Sequence, residues 1–176
     1  PEGSNAFDIA AIVYRNGFGG ETEALRFALP EEGFLFPAVY RFKRRTSAEE
    51  AISAMRRRFD QAWRELGAPM QSMRETVTLA SMVEKEAAVA KERPLIAGVY
   101  RNRLERGIKL DCDPTVEYAA RLTGRWRGII YKSDLAADHP YNTYLRAGLP
   151  PGPIANPGMA SLRAALAPVE TAALYF

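Results

Sequence analysis

The chain has 176 residues, 24 Lys and Arg against 21 Asp and Glu for a net charge of +3, and 47% hydrophobic residues. That length can bury a substantial core, and the interleaved opposite charges give no reason to expect nucleic acid, although a mildly basic face suits an anionic polymer or envelope. A single cysteine, Cys112, excludes an internal disulfide and a thiolate zinc site, and no run of about 18 apolar residues is present to cross a membrane as a helix.

The chain opens on Pro1-Glu2-Gly3-Ser4 without an initiator Met and closes on the apolar, strand-like run Ala173 to Phe176, so both ends are expected to be cuts. Two short periodic segments, Phe7 to Tyr14 and Thr22 to Leu29, flank the turn Asn16 to Gly20 and read as helix, turn, helix. The stretch Glu32 to Phe42 is aromatic and β-branched and reads as an extended, strand-like piece that Pro37 confines to an edge, turn or bulge. Ser47 starts a long helix with Glu50 three residues on, a capping-box pattern, and Gly67 with Pro69 ends it at Leu66.

Arg74 to Arg93 is the segment on which the chemistry turns. Stepping about 100° per residue as one helix puts Arg74, Thr78, Ser81 and Lys85 on a polar side and Leu79, Ala80, Val83, Ala87 and Ala90 opposite. Glu86 breaks this pattern: it falls at the edge of the apolar arc, where a carboxylate is costly unless paired, protonated or used. Glu84 lies roughly 160° around from it. Pro94 then opens a further helix, stopped by Gly107.

Asp113 reads as the N-cap of a helix to Leu122, with Pro114 at its first position, and Gly124 to Tyr131 as a turn or hairpin. Asp111 and Asp113 have the spacing of hard-metal ligands, but the rest of a calcium loop is missing, so no metal is expected. The stretch His139 to Gly158 holds five prolines and three glycines together with Tyr141, Asn142, Thr143, Tyr144 and Asn156. Stiff backbone with aromatic faces and amides suits a sugar, which offers apolar C–H patches rimmed by hydroxyls. A last helix runs from Asn156 or Pro157 to Leu166.

A desolvated carboxyl beside such a loop can protonate a glycosidic oxygen. Glycosidases generally add a second carboxylate, but two groups on opposite sides of one helix cannot flank the same bond, so a single-acid mechanism fits Glu86 better than a Glu84–Glu86 pair.

The ordered motifs Leu79-Ala80-Ser81-Met82-Val83-Glu84-Lys85-Glu86, Glu92-Arg93, Val99-Tyr100-Arg101-Asn102-Arg103-Leu104, Asp113-Pro114-Thr115-Val116, Tyr141-Asn142-Thr143-Tyr144 and Gly148 to Gly158, with Glu32 to Pro37 and Tyr40 upstream, resemble the endolytic murein transglycosylase (YceG-like) family. The resemblance implies an α+β, mostly helical, lysozyme-like catalytic domain over residues 30–176, truncated at its C-terminus, preceded in residues 1–29 by the remnant of a small LysM-like module. It also implies non-hydrolytic cleavage of the β-1,4 bond between N-acetylmuramic acid and N-acetylglucosamine, giving 1,6-anhydromuramoyl ends, with Glu86 as acid and then base and no cofactor or metal.

Glu84, Asp113, Thr115, Tyr141, Asn142, Thr143, Tyr144 and Asn156 are the expected substrate-binding set, in which Glu84 serves as an ion-paired support, with Lys91 or a neighbour beyond the helix, and Asp113 and Thr115 organise the floor. Partners are then peptidoglycan glycan strands and, beyond them, peptidoglycan synthases. An N-terminal membrane helix, absent here, would place the domain on the outer face of the cytoplasmic membrane. This chain departs from the family pattern at Ala38, where relatives commonly carry Asp, and at Ala87, where distant lysozyme-like enzymes have Ser after the acid; relatives also continue past Phe176 into a segment with His, Ser and Asn positions. The alternative is a non-catalytic glycan-binding module in which Glu86 is a buried structural acid. A third reading is a hydrolase using water, which would leave reducing ends.

Overall fold

The computed structural model describes residues 1–176 and contains helices but no strands. The helices are α1 (Ala6–Arg15), α2 (Glu21–Ala28), α3 (Ala48–Leu66), α4 (Met73–Glu86), α5 (Arg93–Glu105), α6 (Asp113–Leu122), the single turn α7 (Lys132–Leu135) and α8 (Met159–Leu166), with short 3₁₀ turns at Leu29–Glu31 and Ala90–Glu92. The mostly helical expectation stands, and its β part does not: the one sheet-like contact is an isolated antiparallel bridge between Lys109 and Ala147.

Helix α4 lies at the centre, packed on α5, α6 and α8. Val77 and Ala80 face Phe59 and Trp63 of α3 and Leu162 of α8, while Leu79, Met82 and Val83 face Tyr100 of α5, Tyr118 of α6 and Ile154. Every residue from Val77 to Val83 is buried, which corrects the polar arc drawn through Thr78 and Ser81. Short hydroxyl side chains can be buried because they return a hydrogen bond to the preceding turn. Thr78 Oγ1 donates to the Arg74 carbonyl (2.8 Å) and Ser81 Oγ to the Thr78 carbonyl (2.7 Å), while Ser81 Oγ accepts from the Ile154 amide (3.1 Å).

Arg74 to Arg93 is not one helix. The chain leaves helical geometry at Ala87, which is extended (φ −69°, ψ 108°), and regains it in the 3₁₀ turn before α5. Pro94 supplies the reason: inside a continuing helix it would forfeit a hydrogen bond and clash with the carbonyl of Ala90, whereas in the first turn of α5 it costs nothing. Glu86 therefore sits at the very C-terminus of α4.

Residues 32–33 make a turn, and residues 34–42 follow without helix or partner strand. Phe34, Leu35 and Phe36 are buried in succession between helices, an arrangement that a strand alternating its faces does not provide. Residues 124–131 make a turn leading into α7, whose first amide is satisfied by Asp134: the Tyr131 N–H donates to its carboxylate (2.9 Å). The final residues lie as a strap along α5. Asn102 Nδ2 donates to the carbonyls of Thr171 (2.7 Å) and Ala173 (2.9 Å), Arg103 Nε donates to that of Leu174 (2.6 Å), and Gly98 lets the strap approach, since a Cβ there would run into the Val169 carbonyl.

Residues 1–29 pack onto this body. Helices α1 and α2 share a core with Leu35, Ala48, Ala51 and Ile52, and the Gly3 amide donates to the Asn156 carbonyl (3.0 Å).

Candidate active site

The end of α4 opens on a hollow of about 370 Å³ lined by Glu86, Arg103, Leu110, Asp111, Asp113, Tyr144, Tyr175 and Phe176. Five separate pieces of chain meet there: the last residue of α4, α5, the 110–113 turn, the proline-rich loop and the C-terminal strap. A more apolar hollow between α1 and residues 35–42 is lined mostly by hydrophobic side chains, and its one titratable side chain is Tyr40, whose hydroxyl burial pushes up to about 12. That hollow offers no acidic or basic side chain for work near neutral pH.

Glu86 is half-buried, and its pKa is raised first by desolvation and further by the nearby Asp113 carboxylate. The C-terminal end of α4 acts in the same direction, because helix dipoles disfavour negative charge there. Two donors oppose the shift. Tyr100 Oη donates to Glu86 Oε1 (3.3 Å), and the Cys112 thiol beside the carboxyl also favours its charged form. Neither donor belonged to the expected site. Tyr100 reads in sequence as part of the apolar stripe of α5, and Cys112 as a packed thiol; both are buried, and both stand at the acid.

Of the expected substrate-binding set, the structure brings Asp113 and Tyr144 to the hollow with Glu86. Tyr144 Oη donates to Asp113 Oδ1 (2.6 Å). Asp113 does not cap α6 as expected: it is the first helical residue, and Cys112 occupies the cap position without a side-chain cap bond. The preceding Asp111 takes a left-handed conformation (φ 47°), and Arg103 holds it by an ion pair (3.6 Å).

Thr115 and Thr143 lie beneath the surface, in a closed set of bonds around Cys112. Thr115 Oγ1 donates to the Cys112 carbonyl (2.7 Å), the Cys112 amide donates to Thr143 Oγ1 (3.0 Å), and the two hydroxyls are 2.9 Å apart. Their geometry fixes the backbone of the residue that touches Glu86.

The other four residues lie away from the hollow. Asn142 Nδ2 donates to the carbonyls of Leu135 and Ala137 (both 2.9 Å) and its Oδ1 accepts from the Tyr144 amide (3.0 Å), so it shapes the loop from within. Tyr141 packs its ring on Tyr118, with centroids 5.0 Å apart. Asn156 is buried at a different junction, where its Oδ1 accepts from the Leu35 amide (2.7 Å) and its Nδ2 donates to the Ser4 carbonyl and to Glu32 Oε1 (both 2.9 Å). Glu84 is an anchor whose partner is Arg93 rather than Lys91. One of its oxygens accepts from Arg93 Nη2 (2.8 Å), the other from the Gly158 amide (2.9 Å) and Ser161 Oγ (2.7 Å). With 5% of its side chain exposed, Glu84 has no lone pair facing the hollow.

The same junction holds a second perturbed acid that the sequence reading did not single out. Glu32 accepts from the Ala6 amide (2.8 Å) and from Asn156 Nδ2 (2.9 Å), with the Tyr118 hydroxyl also favouring its charged form, yet burial raises it to about 7. In sequence it sits in an aromatic stretch with no pattern to mark it. No group of three or more His, Cys, Asp or Glu side chains is arranged to hold a metal ion.

The all-helical body thus sets one half-buried carboxyl, that of Glu86, in a groove of tyrosines and carboxylates. The YceG-like family matches residues 1–176, and the chain belongs to that family. It is 43% identical over 152 residues to the endolytic murein transglycosylase of Bacillus subtilis, an alignment covering 84% of this chain and 41% of that protein. It is 35% identical over 153 residues to the endolytic murein transglycosylase of Streptococcus pneumoniae, covering 82% of this chain and 27% of the relative. The chain thus spans less than half the length of these relatives. Among solved structures, a yceG-like protein from Listeria monocytogenes superimposes with a TM-score of 0.86 at 34% identity, over 100% of this chain and 67% of the other.

Proposed function

We propose that this chain carries the acid–base centre of an endolytic peptidoglycan lytic transglycosylase, with Glu86 as its one catalytic group. The observation that carries the reading is the placement of Glu86: half-buried, raised in pKa by desolvation and by Asp113, and opening on the hollow. The names of the Bacillus and Streptococcus relatives support the same substrate class.

In the proposed reaction, protonated Glu86 gives its proton to the glycosidic oxygen between N-acetylmuramic acid and N-acetylglucosamine as the C1–O bond breaks. The muramoyl C6 hydroxyl then bonds to C1 and returns its proton to the Glu86 carboxylate, leaving a 1,6-anhydro end and a regenerated acid. No water is consumed. Asp113 and Tyr144 line the sugar groove, Thr115 and Thr143 hold Cys112 behind the acid, and Glu84, Asn142, Tyr141 and Asn156 brace the framework away from it. We take residues 30–176 as the catalytic body and 1–29 as a LysM-like flank bound to it at Asn156. The setting is the cell envelope, with the catalytic face toward the wall, a membrane anchor in the whole protein, and peptidoglycan synthases as neighbours.

One observation favours a second reading. Asp113 puts another carboxylate in the same hollow, as a hydrolase acting through water would require. Mass spectrometry of purified glycan strands after digestion separates the two: anhydro ends support the transglycosylase, reducing ends the hydrolase, and intact strands with retained binding a non-catalytic module. In the same digest Glu86→Gln should lose about a thousandfold in rate, within the range removed with a general acid.

A further inference from the structure

The hydroxyl of Tyr100 and the thiol of Cys112 are the polar groups of the acid's surroundings that the proposed reaction has not used. Tyr100 is 1% exposed and Cys112 fully buried, yet the Tyr100 hydroxyl donates to Glu86 and the Cys112 thiol lies beside the same carboxyl. Each is held from behind. Tyr100 lies in the core with Met82, Val83 and Ile154, and Phe176 packs edge-on against its ring, with centroids 5.5 Å apart. Cys112 has its amide tied by Thr143 and its carbonyl by Thr115.

We propose that Tyr100, with the Cys112 thiol beside it, is the positioning device of the acid: the Tyr100 hydroxyl pins one oxygen, Oε1, of Glu86, leaving the other to carry the transferable proton into the hollow. The inference rests on the reading of Glu86 as acid and base. Two features suit the pair to that task. Burial raises both the Tyr100 hydroxyl and the Cys112 thiol above their ordinary values, so each keeps its proton when Glu86 gives up its own, and each remains a donor throughout the cycle. A donor to a carboxylate is also worth more than a donor to a carboxylic acid, so the pair favours the product of the first proton transfer.

The other ionisable groups around the hollow are Asp111, Asp113, Arg103, Tyr144 and Tyr175. Asp113 raises Glu86, and Arg103 is engaged by Asp111, by the carbonyls of Lys109, Leu110 and Leu174, and by the ring of Tyr175. Tyr100 and Cys112 are the two groups that pull Glu86 down.

The test uses the full-length protein carrying Tyr100→Phe, Cys112→Ala or Cys112→Ser, with two readouts. The first is the pH profile of anhydro-end release. Tyr100→Phe should lower kcat about tenfold with KM within about twofold, and should move the alkaline limb to higher pH, because a donor to the charged form has gone. Cys112→Ala should move the limb the same way by less, and Cys112→Ser, which keeps a donor, should restore part of it.

The second readout is the carboxyl titration of Glu86 by carbon-13 NMR, its resonance identified by its loss in Glu86→Gln. This needs no turnover. An unshifted Glu86 titration in Tyr100→Phe, or a loss of thermal stability with profile and titration unchanged, overturns the positioning role. If the parent protein binds strands and releases no anhydro ends, the transglycosylase reading falls, and the titration alone decides whether Tyr100 holds the carboxyl.

Discussion

Glu84 and Glu86 are two residues apart on one helix and have opposite fates. Glu84, inside the last turn of α4, has each oxygen engaged: Arg93 on one side, the Gly158 amide and Ser161 hydroxyl on the other. Glu86, at the end of that turn, meets a neighbouring carboxylate, one long hydrogen bond from Tyr100 and a buried thiol. One carboxylate joins α4 to α5 and α8; the other is left with unmet demand, which favours its protonated form. Burial alone does not separate them, since the more buried acid is the inert one. The number and charge of the partners does.

The largest effect that would break this contrast is on rate. Glu86→Gln should reduce turnover about a thousandfold while leaving the melting temperature close to that of the parent, because Gln keeps an acceptor for Tyr100 and removes a desolvated charge. A fall in both would mean that Glu86 is structural after all. Glu84→Ala should do the reverse. It strands a guanidinium that is 13% exposed and frees the Gly158 amide, and breaking such a buried pair costs about 3–5 kcal/mol, read as a lower denaturation midpoint.

What the sequence made legible follows the range over which the physics acts. The Ser47 capping box is visible within four residues and is present: the Ser47 hydroxyl accepts from the Glu50 amide (3.1 Å) and the Glu50 carboxylate from the Ser47 amide (2.8 Å). Glu86 stood out as a carboxylate on an apolar arc because helical periodicity alone puts it there. Thr78 and Ser81 defeated the same periodicity, since their burial depends on α4 being surrounded by other helices. The supposed strand at 32–42 failed for a related reason: β-branched and aromatic residues fit any half-buried extended surface, and only a partner makes them a sheet. Tyr100, Cys112 and Glu32 carry no local signal. Each becomes polar machinery through a contact made by the fold between residues far apart in the chain.

Glu32 offers a gentler perturbation of the same comparison, as a buried acid with partners but no cation. Its folded value of about 7 lies above the ordinary 4.5, so between those values the native state binds more protons than the unfolded chain. Stability should therefore be full below about pH 4.5 and decline as pH rises toward 7, by about 3 kcal/mol from this residue. Denaturant titrations at several pH values check the slope. In Glu32→Gln that component should vanish, and an unchanged slope would place the pH dependence elsewhere.

The smallest effect concerns the neighbour that tunes the acid. Asp113 raises Glu86 by its charge, and Asp113→Asn removes that charge while keeping an oxygen for the Tyr144 hydroxyl. The pKa of Glu86 should then fall, so the protonated form, which must deliver the proton, is lost at lower pH, and the alkaline limb of the activity profile should shift to lower pH. This is opposite in sign to Tyr100→Phe, which removes a donor instead of a charge. If Asp113 were a general base for water, Asp113→Asn would abolish the reaction instead of shifting its profile, and reducing ends would disappear from the digest with it.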